Sequence, residues 1–331
     1  MITVVPVELF NEALSADVVD GLAMVEEGLR EAARAQHELL DETSAYLIDA
    51  GGKRLRPILV LLAAQFGDPR DKRVVPAAVA VELTHLATLY HDDVMDEADV
   101  RRGVPSVHAR WDNSVAILTG DFLFARASGI LAGLGPDAVR IQAQTFARLV
   151  AGQIAETIGP RPGQDAFDHY MGVATEKTGS LIATSGQFGA MFSGAPDTVT
   201  ARITPACAAI GVAWQLSDDI IDIASEPDQS GKTPGTDLRE GVSTLPALYA
   251  LRSTEPGDER LVELLNRSDL TDPVLNAEAL ALLRAHPAME MATADLRHWV
   301  GLARTEILEL PDVPARKAFE ALCDFVLQRA G

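Results

Sequence analysis

Cysteine is scarce in this chain of 331 residues, which contains only Cys207 and Cys323. The two lie far apart and fit no metal-ligand or redox spacing. This usage argues against a disulfide framework and indicates buried thiols in a reducing compartment. Neither thiol is expected to be catalytic.

Positive charge is also scarce, because 28 Lys and Arg stand against 48 Asp and Glu, for a formal net charge of -20. The basic surface that binds a phosphate backbone is missing, which excludes a nucleic-acid partner. The N-terminus lacks a basic region ahead of an apolar run, and no stretch approaches about 18 uncharged apolar residues. We therefore expect a cytoplasmic protein without an integral membrane segment.

Strand signals are weak, because runs of β-branched residues are short. Between Gly and Pro residues, apolar side chains recur at helical spacing, and hydrophobic residues make up 47% of the chain, enough for a sizeable core. The sequence predicts an all-α protein that forms a single domain over residues 1–331. The predicted helices include Leu29–Ala50, Val74–Asp96, Ala166–Met191 and Val199–Ala224.

Two acidic triplets have the same spacing. On a helix, residues four apart lie on one face, one turn apart, so their like charges repel. A hard divalent cation would compensate, and Mg²⁺ prefers one or two carboxylates together with water and substrate phosphate oxygens. The triplets are Asp92, Asp93 and Asp96 in "HDDVMD", and Asp218, Asp219 and Asp222 in "SDDIID".

The alternative is that each triplet is a solvated, acidic helix end. Two copies favour a ligand site over this alternative, and so do the polar residues on the same helical faces. His85 lies seven residues before Asp92, and Gln215 lies three residues before Asp218. Two helices facing one cavity would have such polar linings.

Basic residues accompany the triplets in this acidic chain. The loop "GGKRLRP" contains Lys53, Arg54 and Arg56, and Arg101 and Arg102 follow the first triplet. Such clusters indicate a substrate with anionic groups, held by arginine side chains and by bridging metal. The alternatives are ion pairing of the arginines with nearby acids and a basic loop that binds no ligand. "GKT" is not a phosphate-binding P-loop, because the upstream glycine and strand are absent.

Six motifs occur in an order that resembles the trans-type isoprenyl diphosphate synthases, the head-to-tail polyprenyl synthetases. They are "GGKRLRP", "HDDVMDEADVRRG", "GDFLFARA", "EKTGSL", "WQLSDDIID" and "GTDLREG". The resemblance spans roughly Leu40 to Leu251 and implies an all-α fold around a central cavity, with three Mg²⁺ ions holding an allylic diphosphate between the aspartate motifs. It implies metal ligation by Asp92 and Asp96 with Asp93 nearby, and by Asp218, helped by Asp219 or Asp222.

The resemblance also implies the substrate contacts. Those for the allylic diphosphate are Arg101, Lys177, Gln215 and Lys232, with Thr178 and Gln215 beside the reacting carbons. Those for isopentenyl diphosphate are Lys53, His85, Arg56 and Arg102. The residues implied to carry the reaction itself are Asp92, Asp96, Arg101, Lys177, Asp218 and Lys232.

The implied reaction begins with departure of the diphosphate, stabilised by metal and lysine, to leave an allylic carbocation. Isopentenyl diphosphate attacks with its double bond, the departing diphosphate takes the final proton, and an apolar pocket excludes water. One departure from the family pattern is "GVSTLP", in which Val242 and Ser243 stand where many relatives have a lysine. This puts one supporting cation in doubt.

Product length is predicted from the residues below the first triplet. Ala87 and Thr88 lie one turn below Asp92, about 6 to 8 Å along the helix axis, and neither is large. We expect a long product of roughly seven to ten isoprene units, unless Phe124 or Phe146 forms a floor deeper down.

Four alternatives remain open: a shorter-chain geranylgeranyl synthase, a noncatalytic subunit of a heteromeric synthase, a class I terpene cyclase and a His-Asp phosphohydrolase. Two intact triplets argue against the noncatalytic subunit, and "DDIID" is unlike the second metal motif of a cyclase. His85, His91 and His108 do not form the metal set of a phosphohydrolase. The resemblance implies a homodimer, and a long product implies transient membrane association for its release.

Overall fold

The structure is a computed structural model that describes residues 12–225, 234–267 and 270–330. These residues are mostly helical, which confirms the predicted all-α class. The helices of the first half are α1 (Glu12–Ala33), α2 (Glu38–Asp49), α3 (Leu55–Ala64), α4 (Val74–Met95), α5 (Val107–Arg110), α6 (Asn113–Leu134) and α7 (Pro136–Ile158). Those of the second half are α8 (Ala166–Val173), α9 (Ser180–Phe192), α10 (Asp197–Ala224), α11 (Thr236–Arg239), α12 (Leu245–Leu251), α13 (Glu259–Leu265), α14 (Pro273–Ala285), α15 (Ala288–Leu308) and α16 (Pro314–Gln328).

Regular β-structure in the described ranges is limited to one hairpin, in which β1 (Val100–Arg101) pairs antiparallel with β2 (Val104–Pro105). Arg102 and Gly103 form its turn with φ of 54° and 79°. The left-handed conformation at Arg102 is uncommon for a residue with a side chain. The hairpin thus places the two consecutive arginines in different backbone environments.

Most predicted helices are confirmed, but the prediction of one helix over Leu29–Ala50 is wrong. The chain leaves α1 after Ala33 and enters α2 at Glu38. Between them, the Ala35 N–H donates to the Asp41 carboxylate at 2.9 Å, so a side chain replaces the helical carbonyl as acceptor.

The predicted helix Ala166–Met191 is present with a change of pitch inside it. Ala174–Gly179 is π-helical and joins α8 directly to α9. π-Helical segments are rare in proteins, and those that occur are frequently found at functional sites. Lys177 and Thr178, two predicted substrate contacts, lie within it.

The chain forms two compact units. One comprises residues up to Ala147 together with Leu181–Cys207 and Glu306–Leu322, and the other comprises Arg148–Ser180, Ala208–Thr305 and the residues from Cys323 onward. The prediction of a single domain over residues 1–331 stays a prediction.

The first unit is organised around α4, which packs against α1, α3 and α6. Residues on several faces of α4 are buried, including Ala80, Val81 and Leu83. α9 approaches α3 very closely at Gly189, where an added Cβ would lie 2.2 Å from the Val60 carbonyl oxygen. Only glycine fits there, because backbone cannot move aside as a flexible side chain can.

The second unit has its own apolar core, which includes Ile223, Leu238, Leu264 and Leu283. Arg284 donates to the backbone oxygens of Ile223 and Ser225, both at 2.6 Å. Carbonyls at a helix end lack helical partners, and a cation there also complements the helix dipole. Arg284 thereby stabilises the end of α10, which carries the second acidic triplet.

One helix of the described residues, α6, is long and apolar enough by length and composition to cross a membrane. The core helix of a globular protein passes the same test. α6 carries Asp121 and Arg126 and packs against α4, although only 33% of its apolar window is buried. Much of this apolar helix is therefore left uncovered by the residues that the structure describes.

Candidate active site

The first acidic triplet lies where α4 ends. Asp92 and Asp93 are in its last turn, and Asp96 follows the helix, with its N–H donating to the Asp92 carbonyl at 2.8 Å. Asp96 is exposed and Asp92 is partly buried. Two carboxylates one turn apart are thus accessible to a ligand.

Asp93 differs from both neighbours, because it is only 1% exposed. Its Oδ1 accepts from Arg101 Nε at 2.6 Å, while its Oδ2 is buried without a partner. Burial raises the pKa of Asp93, and Arg101 opposes that rise. The Asp93 carboxylate therefore anchors the hairpin, and its predicted ligand role stays a prediction.

The basic loop is held by two glutamates, of which Glu82 is buried and Glu26 is partly buried. Arg54 has a left-handed backbone with φ of 50° and is almost fully buried. Its guanidinium donates to Glu26 at 2.5 Å and to Glu82 at 3.0 Å. Arg102 lies 3.8 Å from the same Glu82 carboxylate and donates to the Leu47 carbonyl at 2.6 Å. Glu82 thus fixes the positions of two arginines.

Arg56, His85 and Arg102 lie close enough to perturb one another. Burial lowers the pKa of Arg56 to about 10. The positive charge of Arg102 lowers this pKa further, whereas the negative charge of Glu82 raises it. Burial, followed by Arg56 and Arg102, holds the pKa of His85 well below its usual value. His85 is therefore neutral beside two cations, and the buried Arg56 Nε has no partner. The structure brings together three of the four predicted isopentenyl diphosphate contacts, and Lys53 precedes Arg54 in the same loop.

The second triplet lies in the last turns of α10. Asp218 is partly exposed, and its carboxylate accepts a hydrogen bond from Arg329 in an ion pair. The Arg329 guanidinium also lies 4.1 Å from the centre of the Trp214 ring. Asp222 accepts from the N–H groups of Thr236 and Asp237 at 3.2 and 3.3 Å. Asp222 thus caps the first turn of α11, a helix too short to hold its own ends.

Asp219 is the second triplet's counterpart of Asp93 and is only 3% exposed. It accepts a short hydrogen bond from the Tyr170 hydroxyl, one from Gln215 Nε2 at 3.0 Å and one from the Leu245 N–H at 3.5 Å. Burial raises the pKa of Asp219 to about 7, against the effect of these donors. The carboxylate serves to position its neighbours, and metal ligation by Asp219 stays a prediction.

The π-helical segment connects to this network. Thr178 Oγ1 donates to Gln215 Oε1 at 3.1 Å, so Thr178, Gln215, Asp219 and Tyr170 form one chain of hydrogen bonds. Lys177 pairs with Glu156 of α7. A Cβ at Gly152 would lie 2.6 Å from the backbone nitrogen of Lys177. α7 can therefore approach the π-helical segment only because residue 152 is glycine. Lys232, a predicted diphosphate contact, lies outside the described residues.

The predicted chain-length residues occupy α4 below the first triplet. Ala87 is 2% exposed, and the Thr88 hydroxyl donates to the His85 carbonyl at 2.8 Å. Phe124 and Phe146, the alternative floor, face each other with ring centres 4.0 Å apart. All four residues belong to the first unit.

No group of three His, Cys, Asp or Glu side chains is arranged to hold a metal ion by itself within the part of the chain that the structure describes.

Sequence reasoning missed several residues of these networks, among them Glu82, Glu156, Tyr170 and Arg329. Glu82 had a usable signal, because a carboxylate in the buried stripe of α4 requires a buried cation. Tyr170, Glu156 and Arg329 had none, since each finds its partner through the tertiary fold.

Comparisons with known proteins agree with this geometry. Residues 37–283 match the model of the polyprenyl synthetase family. The chain is 50% identical to nonaprenyl diphosphate synthase of Mycobacterium tuberculosis over 326 residues, covering 98% of this chain and 97% of that protein. It is 42% identical to dimethylallyltranstransferase of the same organism, covering 97% and 98%.

The fold is also that of a solved relative. The crystal structure of geranylgeranyl pyrophosphate synthase from Corynebacterium glutamicum, complexed with calcium and isoprenyl diphosphate, superposes with a TM-score of 0.87 at 44% identity. The match covers 97% of this chain and 99% of that one. The chain has the isoprenoid synthase fold, belongs to the polyprenyl synthetase family and is a prenyltransferase.

Proposed function

We propose that this protein condenses isopentenyl diphosphate with an allylic diphosphate to give an all-trans polyprenyl diphosphate of roughly seven to ten isoprene units. The allylic substrate is geranyl, farnesyl or geranylgeranyl diphosphate. The observation that carries the proposal is the 50% identity, over nearly the whole chain, to a nonaprenyl diphosphate synthase. The similarity to a geranylgeranyl pyrophosphate synthase supports the shorter-chain alternative.

Asp92, Asp96 and Asp218 are the proposed metal ligands with accessible carboxylates. Asp218 already engages a cation, the guanidinium of Arg329, which is what a metal-binding carboxylate would do. Asp222 is a further proposed ligand. Its carboxylate would then be shared between the metal and the N–H groups of Thr236 and Asp237. We propose Mg²⁺, with three ions as the resemblance implies, and bound Mg²⁺ would supply Lewis-acid stabilisation of the diphosphate leaving group.

Basic residues of the first unit are proposed to bind isopentenyl diphosphate. Arg56 and Arg102 supply positive charge that burial leaves poorly solvated, so an anion gains more from them than from exposed arginines. Neutral His85 contributes a hydrogen bond without adding charge. Glu82 orients Arg102 and Arg54 and does not touch the substrate.

A second set of residues is proposed to handle the allylic group. Lys177 would exchange Glu156 for a diphosphate oxygen, and Arg101 and Lys232 would add further charge. Thr178 and Gln215 are held by the hydrogen bonds that end at Asp219 and Tyr170, so their positions beside the reacting carbons are fixed before substrate arrives.

Incubation of the purified protein with farnesyl diphosphate, isopentenyl diphosphate and Mg²⁺, followed by mass spectrometry, tests the activity. We expect elongated products, and Asp92→Asn and Asp218→Asn should each lose at least about a hundredfold in kcat. The exposed Asp137→Asn is the matched control and should retain full activity. Cyclised hydrocarbon, free phosphate or no product would instead identify a cyclase, a phosphohydrolase or a noncatalytic subunit.

Replacement of Ala87 tests the product length separately. Ala87→Tyr fills the space below Asp92 and should shorten the product. A product spectrum unchanged by Ala87→Tyr would show that the limit lies deeper, and a wild-type product of four isoprene units would establish the geranylgeranyl alternative.

A homodimer is proposed to cover the exposed apolar face of α6. Leu118 is 63% exposed, and Ile117 on α6 and Val139 on α7 are also exposed. A second copy of the chain would bury this face. Leu118→Glu should shift the molecular mass in solution from dimer to monomer, as measured by light scattering. A cytoplasmic location, with transient membrane contact to release product, is part of the same proposal.

A further inference from the structure

The last turn of α2 supports two arginines near the proposed isopentenyl diphosphate site. Arg102 donates to the Leu47 carbonyl at 2.6 Å and also to the Gly51 carbonyl. Arg54 donates to the Ile48 carbonyl at 3.1 Å and to the same Gly51 carbonyl at 3.3 Å. The final carbonyls of a helix lack helical partners and lie at the negative end of its dipole. The end of α2 therefore offers fixed acceptors to both guanidinium groups.

Tyr90 of α4 holds this turn from the interior. Its side chain is fully buried, and its hydroxyl donates to the Thr43 carbonyl at 2.6 Å and accepts from the Leu47 N–H at 3.3 Å. Thr43 and Leu47 are four residues apart in α2, so this carbonyl and this N–H are a pair that an α-helix joins directly. A side chain that enters the hydrogen-bond ladder of a helix in this way can set its local bend.

Leu47 links Tyr90 to Arg102, because its N–H bonds to the tyrosine and its carbonyl bonds to the arginine. A phenylalanine ring would fill the same buried space, so the hydroxyl of Tyr90 is not needed for packing. What the hydroxyl adds is a pair of bonds to one turn of α2. Tyr46 of the same turn donates to the Pro105 carbonyl at 3.0 Å, so the hairpin that carries Arg102 is tied to α2 at two points.

We propose that Tyr90 is a positioning residue for isopentenyl diphosphate, because it fixes the turn of α2 whose carbonyls orient Arg102. The inference rests on the proposed role of Arg102 in binding this substrate, which Tyr90 itself does not touch. An arginine that is already oriented loses less freedom when it binds an anion. Without the hydroxyl, the turn is free to shift, and the Arg102 guanidinium loses its fixed direction.

Tyr90→Phe tests the proposal, because it removes the hydroxyl and keeps the ring. We expect the Kd for isopentenyl diphosphate, measured by isothermal titration calorimetry, to rise about tenfold, as for the loss of one hydrogen bond. The Kd for farnesyl diphosphate should not change, and in the full reaction only the KM for isopentenyl diphosphate should rise. Tyr249→Phe is the matched control, since it removes a hydroxyl bond to Asp295 in the second unit.

A double-mutant cycle tests whether Tyr90 acts through Arg102. Arg102→Lys keeps the positive charge, so that binding stays measurable, but it loses the planar group that bonds to the α2 carbonyls. In that background, Tyr90→Phe should weaken isopentenyl diphosphate binding no further, because two residues that act through one contact are not additive. Additive losses would overturn the proposal.

The outcomes separate this inference from the proposed function. If the wild-type protein binds no isopentenyl diphosphate, the proposed function fails, and the role of Tyr90 fails with it. If the wild type binds it and a folded Tyr90→Phe binds it equally well, only the role of Tyr90 is refuted. Equal weakening of farnesyl diphosphate binding would also refute that role, because the effect would then be a general loss of structure.

Hydrogen exchange on the wild-type protein decides the matter if circular dichroism shows that Tyr90→Phe does not fold. Isopentenyl diphosphate should slow exchange of the Leu47 amide, because a bound Arg102 holds the last turn of α2 more firmly. Unchanged exchange of this amide on addition of isopentenyl diphosphate would refute the coupling between Tyr90 and Arg102.

Discussion

Arg329, just beyond the last helix, donates a hydrogen bond to the carboxylate of Asp218 in the second acidic triplet, 111 residues away. The Trp214 ring lies beneath the same guanidinium. Cation–π contact and ion pairing therefore hold the C-terminal arginine on a carboxylate proposed to bind metal. Any metal that binds Asp218 must compete with this guanidinium or share the carboxylate with it.

Arg329→Met should tighten divalent-metal binding, because it removes the competing cation. We expect a gain of about two- to fivefold in Mn²⁺ affinity, measured by electron paramagnetic resonance with pyrophosphate present. Arg304→Met is the control, since Arg304 pairs with the exposed Asp324 and not with the triplet. Unchanged or weaker Mn²⁺ binding in Arg329→Met would contradict competition at Asp218.

Glu82→Gln should lower the free energy of unfolding by about 3–5 kcal/mol, because it leaves buried Arg54 without its full countercharge. Urea denaturation measures this loss. The control is Glu42→Gln, which breaks an exposed pair with Arg110 and should cost no more than about 1 kcal/mol. Similar losses for the two variants would show that Glu82 does not hold the basic loop.

His85→Gln should change how stability depends on pH. Because the pKa of His85 in the folded protein lies well below its usual value, the unfolded chain binds the proton first as the pH falls below about 6.5. The stability contributed by neutral His85 is thus present above that pH and is lost as the pH decreases.

Relative to wild type, His85→Gln should therefore gain stability between pH 6.5 and pH 5, by at most about 1.4 kcal/mol per pH unit. Urea unfolding at several pH values measures the difference. His298→Gln, at an exposed position on α15, is the control and should follow the wild-type curve. Parallel curves for wild type and His85→Gln would exclude a depressed pKa at His85.

Tyr170→Phe should destabilise the protein by about 1–3 kcal/mol, because it leaves one oxygen of buried Asp219 with a weaker set of donors. Thermal and urea unfolding measure this loss, and kcat should fall as Gln215 loses its fixed position. Tyr46→Phe removes a more exposed hydroxyl bond to the Pro105 carbonyl and should have less effect. Equal stability of Tyr170→Phe and wild type would show that Gln215 and Leu245 suffice to hold Asp219.

The helices could be predicted because their signals are local. Apolar spacing is repeated within each helix, and Gly and Pro residues separate the helices, so α4 and α10 fall close to their predicted ranges. The break after Ala33 could not be predicted from that spacing. It depends on the Asp41 carboxylate, which captures the Ala35 N–H and replaces the next helical bond.

The sequence by itself determined the chemistry available to this protein: two carboxylate triplets at one-turn spacing, a basic loop and small residues below the first triplet. Spacing fixes which groups share a helical face, because helix geometry is the same in every fold. Only the tertiary structure decided that Asp93 and Asp219 are buried and engaged and that Glu82 gathers two arginines. Burial and pairing depend on residues distant in the chain, and no local pattern encodes which of three adjacent aspartates faces the interior.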